Sequence, residues 1–241
     1  MKQTIDTAVV LAGGEGSRLR PLTNNIPKPM IKILGKPILQ WVIEWLTNNG
    51  ISNIIVGVAY KKDSVMKYFK DGSEFDCRIK YSVHSVEGET GEGFHLAIKR
   101  YVKDDIFLAM NGDEISNFDI TELVNYHNKH NALATIATTN PRCDFGVINI
   151  DKNGKILSFE EKPILNNILV SIGIYIFNHQ IIDYLPSQGL IEKTTFPLLS
   201  KLNLIRAFPI NGDWLTVNTM KDIKNVEKFL KKKQREGKWL K

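Results

Sequence analysis

One short stretch of this chain gathers three glycines, two arginines and a lysine. It reads Leu11-Ala12-Gly13-Gly14-Glu15-Gly16-Ser17-Arg18-Leu19-Arg20-Pro21-Leu22-Thr23, then Pro27-Lys28-Pro29. Glycines at 13, 14 and 16 lack a Cβ, so backbone N–H groups can close around a phosphate. Arg18 and Lys28 bring cations to the same place. Two familiar phosphate loops fail on detail. There is no Gly-Lys-Ser/Thr ending, so this is not a Walker A loop. Gly14-x-Gly16-x-x-Leu19 lacks the third glycine of the dinucleotide fingerprint, and no helix starts at once. Further along, Asn111-Gly112-Asp113 sets a carboxylate just after an apolar run, and Phe159-Glu160-Glu161-Lys162-Pro163 sets carboxylates beside a cation. The plain alternatives are a flexible surface turn for the loop, a turn aspartate at Asp113 and a solvated hairpin lysine at Lys162.

These residues need elements to hold them. Short β-branched runs alternate with amphipathic stretches, the pattern of βαβ units around a mostly parallel sheet. Strands are expected at Thr7 to Leu11, directly before the glycine loop, and at Asn53 to Ala59 and Ile79 to Val83. Ile106 to Met110, continuously apolar, reads as a central strand buried on both faces, and Leu133 to Thr138 as another. Helices are expected over Pro37 to Asn49, from an Asp63 N-cap to about Asp71-Gly72, over Gly93 to Tyr101 and over Thr121 to His130. After Asn140-Pro141 the texture turns β-rich. Phe145 to Asp151 and Lys155 to Glu160 flank the turn Lys152-Asn153-Gly154 and read as a hairpin. A strand at Val170 to Phe177 follows, then helices near Asn178 to Leu185 and Glu192 to Leu202. Strands come next at Leu204 to Phe208 and Trp214 to Val217, and Thr219 caps a last helix to about Arg235. The expected architecture is a Rossmann-like α/β fold whose mixed, mostly parallel central sheet is flanked by helices. It forms a single domain over 1–241, with a first half (1–140) built on the βαβ pattern and a β-rich second half (141–241).

The 241 residues, 43% hydrophobic and 24% charged, fit a globular domain with a sizeable core, while the net charge of +6 asks for an anionic partner of some kind. No apolar run is long enough to span a bilayer, and the amino-terminal segment lacks the features of a signal peptide. Cys77 and Cys143 make neither a disulfide framework nor a zinc site, and read as reduced thiols in a cytoplasmic protein. The Lys-rich run from Lys231 to Lys241 reads as a solvated helix end, where cations complement the dipole. Neither nucleic acid nor membrane is expected as a partner.

The glycine stretch resembles the signature of the sugar-1-phosphate nucleotidyltransferases, or NDP-sugar pyrophosphorylases. That pattern runs roughly L-A-G-G-x-G-[ST]-R-L-x-P-L-T and then P-K-P. Asn111-Gly112-Asp113 resembles the family's metal-binding N-G-D. Glu161-Lys162-Pro163 resembles its second signature, and Gly173-Ile174-Tyr175-Ile176-Phe177 the strand that follows. The likeness covers essentially the whole chain and matches short members without a C-terminal β-helix domain. It implies transfer of a nucleoside monophosphate from an NTP to a sugar 1-phosphate, giving an NDP-sugar and pyrophosphate. The attacking phosphate oxygen is already anionic, so the task is positioning and charge neutralisation, with no general base.

The resemblance implies roles residue by residue. Gly13, Gly14, Gly16 and Ser17 cradle the nucleotide, with Leu11 or Ala12 near the base and Asn111 beside them. Arg18 contacts the β- and γ-phosphates, and Lys28 bridges toward the α-phosphate. His84, Thr90 and Gly91 fall where the family reads the base. Gly146, Glu161 and Ser171 fall where it meets the sugar, and Lys162 binds the sugar phosphate. Glu160, the strand neighbour of Glu161, faces the other way. Asp113 holds Mg²⁺, the implied cofactor.

One segment departs from the family. Where members carry G-x-W-x-D-x-G-T, with the Asp as second metal ligand, this chain reads Gly212-Asp213-Trp214-Leu215-Thr216-Val217-Asn218-Thr219. Asn218 is taken as the second ligand and Asp213 as its alternative, with residues 216 and 218 sharing one strand face. This segment leans toward CTP, as in the glucose-1-phosphate cytidylyltransferases. The rest of the pattern fits UTP, GTP or dTTP equally. Two further readings stand beside the main one: a cytidylyltransferase for a non-sugar phosphate, and a non-catalytic NDP-sugar-binding sensor or subunit. Assembly into a homo-oligomer is left open.

Overall fold

A computed structural model describes residues 5–239. Met1–Thr4, at the start of the amino-terminal segment, and the last residues of the basic tail, including Lys241, lie outside the described residues. β1 (Thr7–Leu11), β4 (Asn53–Val58), β5 (Arg78–Val83) and β6 (Ile106–Asn111) coincide with the apolar runs that predict them, after two short strands, β2 (Lys32–Ile33) and β3 (Lys36–Pro37). The expected hairpin is β9 (Gly146–Ile150) with β10 (Ile156–Glu161). β7 (Glu114–Asn117), β8 (Ala134–Thr139), β11 (Val170–Asn178), β12 (Ile205–Pro209) and β13 (Asp213–Thr216) complete the strands.

Seven strands form one sheet in the order β12-β8-β11-β6-β1-β4-β5, and β11 alone runs against the other six. The sheet is therefore mixed and mostly parallel, as its continuously apolar strands require. Alternate residues of β6 feed opposite faces. Leu108 and Met110 join one buried cluster with Val10 and Val56, while Phe107 and Ala109 join another with Phe94 and Phe177.

The helices cover those faces: α1 (Ile38–Asn48), α2 (Lys62–Phe69), α3 (Glu89–Tyr101), α4 (Ile120–His130), α5 (Thr195–Lys201) and α6 (Met220–Arg235). α1 buries Trp41 and Trp45 and stops before Gly50, whose φ of +82° suits glycine. Thr219 caps α6 as expected, in a capping box with Asp222.

Three expectations change. Asp63 lies inside the first turn of α2 and Lys61 holds the cap position, with no side-chain cap bond. α3 begins at Glu89, a turn earlier than Gly93, and so takes in Thr90 and Gly91. The segment after β11 is a 3-10 turn, His179–Tyr184, and no full helix. Cys77 is buried, Cys143 is partly buried, and both are free thiols. Among the described residues no helix is long and apolar enough to cross a membrane.

Candidate active site

The chain leaves β1 for β4 and β5 on one side, then returns to β6 on the other. Loops from the carboxyl ends of β1 and β6 diverge at that point, which opens a crevice where open α/β sheets bind ligands. Leu11 and Asn111 are register partners across it. The Gly112 N–H donates to the Leu11 carbonyl at 2.7 Å, and the Ala12 N–H to the Gly57 carbonyl at 2.7 Å, so both loop roots are pinned.

Two of the loop glycines are required by geometry. A Cβ on Gly13 would lie 2.8 Å from the His84 ring, and one on Gly16 would lie 2.8 Å from the Lys28 Cβ at a φ of +66°. Gly14 faces open space. Leu19 anchors the far end of the loop in a third apolar cluster with Ile31, Trp41, Ile115 and Val217, leaving Ser17 and Arg18 exposed.

Two adjoining clefts result. The larger, about 310 Å³, is lined by Leu11, Gly13, Gly14, Lys28, His84, Thr90, Asn111 and Asp113, with Pro29, Glu89 and Leu190 on its walls. The smaller, about 230 Å³, is lined by Gly14, Gly16, Ser17, Arg18, Lys28, Asp113 and Asn218. Gly14, Lys28 and Asp113 belong to both. Lys28 is only 8% exposed. Its ammonium sits 2.5 Å from Asp113 Oδ2 and donates to Asn218 Oδ1 at 3.0 Å. The two expected metal ligands thus converge on one cation, from distant parts of the sequence. Their donor set is one carboxylate and one amide oxygen, both hard. No group of three His, Cys, Asp or Glu side chains lies together among the described residues. Such a pair suits a small dication that completes its shell with substrate phosphates and water, the usual Mg²⁺ arrangement.

What brings Asn218 to Asp113 is a two-stranded ladder that the sequence did not predict. β7 starts one residue after Asp113 and pairs antiparallel with β13, setting Glu114 opposite Thr216. The Trp214 indole N–H donates to Glu114 Oε2 at 2.8 Å. Burial, with the Asp113 charge beside it, pushes the Glu114 carboxyl well above its ordinary value, while the Trp214, Lys28 and Thr216 contacts pull it back. Two expectations are corrected here. Asp213 sits at the other end of β13 and pairs with Lys233 at 2.8 Å, so it is no alternative to Asn218. β13 ends at Thr216, so 216 and 218 do not share a strand face. Instead, the Asn218 amide Nδ2 donates to Thr216 Oγ1 at 3.1 Å.

Around the larger cleft the remaining residues divide. The His84 Nδ1 lies 2.9 Å from the Ser85 carbonyl, and its Nε2 is buried with no hydrogen-bond partner, close to Gly13 and Gly93. The Thr90 hydroxyl donates to Glu192 at 3.0 Å and accepts from the Ile191 N–H at 3.0 Å, which commits it to the following loop. The Gly91 N–H donates to the Gly189 carbonyl at 2.8 Å, and a Cβ there would strike that carbonyl, so this backbone donor is not free for a base. Ala12 is buried beneath the loop and lines neither cleft.

The expected sugar residues stand apart: Gly146, Glu161, Lys162 and Ser171 line neither cleft. Gly146 and Glu161 face each other across the hairpin. Lys162 follows β10 at a φ of +50°, exposed, with its carbonyl accepting from Arg142 at 3.3 Å. Ser171 leads to Gly173, where a Cβ would crowd Asn111 and Glu114, so this end of β11 borders the crevice. Sequence reasoning missed Glu114 and Trp214 as parts of the site. The departure at Thr216, where the family's carboxylate is expected, was the one signal near them.

The geometry agrees with what the chain is similar to. The sequence is 39% identical over 235 residues to the UTP–glucose-1-phosphate uridylyltransferase of Synechocystis sp., covering 89% of this chain and 61% of that protein. It is 33% identical over 223 residues to a mannose-1-phosphate guanyltransferase of Gibberella zeae, again covering 89% of this chain and 61% of the relative. The chain thus spans about three fifths of the length of these relatives. Among solved structures, HddC from Yersinia pseudotuberculosis complexed with GMP-PN superposes with a TM-score of 0.73 at 26% identity, over 93% of this chain and 100% of that one. Residues 7–233 match the family profile described as nucleotidyl transferase. On that match, which takes in both clefts and the ladder behind them, the chain belongs to the nucleotidyl transferase family.

Proposed function

We propose that this chain transfers a nucleoside monophosphate from an NTP to a sugar 1-phosphate and releases pyrophosphate. The observation that carries this reading is Lys28, buried at the junction of two clefts and paired with Asp113 and Asn218. A lysine so placed can exchange its carboxylate for the α-phosphate of a nucleotide, which favours charge that moves in the transition state. The larger cleft takes the base and ribose, with His84 and the glycine loop against them. The smaller cleft takes the triphosphate tail, where the exposed Arg18 neutralises the departing pyrophosphate. Asp113 and Asn218 would hold Mg²⁺, which would supply charge neutralisation on the phosphates. Glu161 and Lys162 meet the sugar phosphate when the β9–β10 hairpin closes on it, and Gly146 and Ser171 face the sugar.

The free thiols of Cys77 and Cys143 suit a reducing, cytoplasmic setting. The names of the two relatives make UTP with glucose 1-phosphate and GTP with mannose 1-phosphate the first pairs to try. The test is pyrophosphate release with CTP, UTP, GTP and dTTP against a panel of sugar 1-phosphates. Turnover with at least one pair, lost without a divalent cation, supports the reading. No turnover with any pair, together with tight NDP-sugar binding by calorimetry, replaces it with a non-catalytic NDP-sugar sensor.

A further inference from the structure

The β9–β10 hairpin is rooted at the crevice edge of the sheet. β8 ends at Thr139 and β11 begins at Val170, its register partner, at the carboxyl end of β6. Opposed residues of an antiparallel pair share a face, as do alternate residues of one strand. Gly146 stands opposite Glu161 and Ile148 opposite Phe159, so all four lie on one face of the hairpin. The other face carries Asn149, whose amide donates to Ser158 Oγ at 2.8 Å. The Phe159 ring leans diagonally toward the root of the hairpin, away from its tip. A Cβ on Gly146 would collide with that ring and would lie 3.2 Å from Glu161 Oε2. The bare backbone of Gly146 thus lets the ring and the carboxylate stand side by side, both exposed. Among the described residues Phe159 meets no other ring and Glu161 has no ion-pair partner.

A pyranose has a face of C–H bonds and a rim of hydroxyls. The π face of a phenyl ring carries negative charge density and takes polarised C–H groups, while a carboxylate accepts hydroxyl protons. Lys162, next in the chain, brings a cation for the phosphate. A quaternary ammonium would call for a cage of several rings, and here one ring stands alone. We propose that Phe159 is a stacking platform for the acceptor's sugar ring, and that the acceptor is a cyclic sugar phosphate with an open C–H face. This rests on the reading above, in which Glu161 and Lys162 meet the sugar phosphate. It gives an exposed aromatic side chain a use that stability does not.

The kinetic test uses the NTP and sugar 1-phosphate pair that turns over in the panel above. Phe159→Ala should raise the KM for the sugar phosphate about tenfold, the size of one aromatic contact. The KM for the NTP should stay within about twofold. Phe159→Tyr should return the sugar KM to within about twofold of the parent. Leu157→Ala removes an equally exposed apolar group from the bulge of the same strand and should change neither KM. An unchanged sugar KM in Phe159→Ala, or an equal rise in Leu157→Ala, overturns the proposal while the functional reading stands. Saturation-transfer NMR reads the contact directly, with UDP or GDP in place of the NTP and glucose 1-phosphate or mannose 1-phosphate as the probe. Irradiating the protein's aromatic protons should carry saturation to the sugar C–H protons in the parent and Phe159→Tyr, and lose most of it in Phe159→Ala. Equal transfer in all three overturns the proposal, as does transfer to the methyl groups of phosphocholine in place of the sugar. If no pair turns over yet transfer to the sugar depends on Phe159, the platform stands and the reaction is reassigned. If there is neither turnover nor transfer, both readings fail.

Discussion

The glycine-loop crevice and the β9–β10 hairpin both carry apolar and charged side chains, yet they are built in opposite ways. Around the crevice the supporting residues are buried: Phe107 and Leu19 are 0% and 1% exposed, and even Lys28 is 8% exposed. In the hairpin every residue of β10 is exposed, Phe159 at 61% and Leu157 at 63% among them. The crevice sits on a sheet whose two faces are both covered, whereas the hairpin is an isolated two-stranded ladder. A site that must hold a triphosphate in one geometry needs rigid roots. A flap that admits a sugar phosphate gains from standing free, since its ordering can then follow substrate binding.

That contrast can be broken by measurement. Lys28→Ala should lower kcat/KM about a thousandfold, as loss of an oriented cation at developing charge does. Lys162→Ala should act mainly on the KM for the sugar phosphate and leave Tm unchanged, since that side chain is exposed and makes no ion pair with any of the described residues. Equal kcat losses and equal Tm losses for the two would erase the distinction. Phe107→Ala should cost about 4 kcal/mol in denaturant unfolding, against under about 0.5 kcal/mol for Phe159→Ala.

The core side should also carry the acid sensitivity. His127 is buried against the Thr135 hydroxyl at 2.8 Å, and burial pushes its imidazole down to about 4. The unfolded chain binds that proton near pH 6.5, so stability is full above 6.5 and declines as the pH falls toward 4, by up to about 3 kcal/mol. His127→Gln should flatten that part of a stability–pH profile, and an unchanged slope would assign the acid sensitivity elsewhere. The smallest contrast lies within the loop itself. Gly13→Ala should cost about 2 kcal/mol and impair nucleotide binding, because its Cβ meets the His84 ring, while Gly14→Ala should cost less than about 0.5 kcal/mol.

Much of this was legible in the residues. A continuous apolar run announces a strand buried on both faces, so β1 and β6 were readable to within a residue. The glycine loop, Lys28 and Asn111-Gly112-Asp113 were readable because their spacing follows from a strand ending at a ligand. β7 was not, because Ile115-Ser116 is too short to show a period, and its strand character comes from pairing with β13. The start of α3 was misplaced because Gly91 and Gly93 weaken helix propensity. Gly91 is there for close contact with the Gly189 carbonyl and Pro186, which no local pattern records.

The sequence by itself determined the chemistry on offer: a phosphate-cradling loop, a buried-strand carboxylate and cations in known order, since these depend on residue type and short spacing. Only the tertiary structure decided which of them meet. It chose Asn218 over Asp213 as the neighbour of Asp113, spent the Gly91 N–H on a loop carbonyl, and left Lys162 on a free flap. It also set Thr216 opposite Glu114 and within hydrogen-bond reach of the Asn218 amide. The reason is physical: hydrogen-bond polarity and ion pairing between positions a hundred residues apart are set by strand register, and register is a property of the packed sheet.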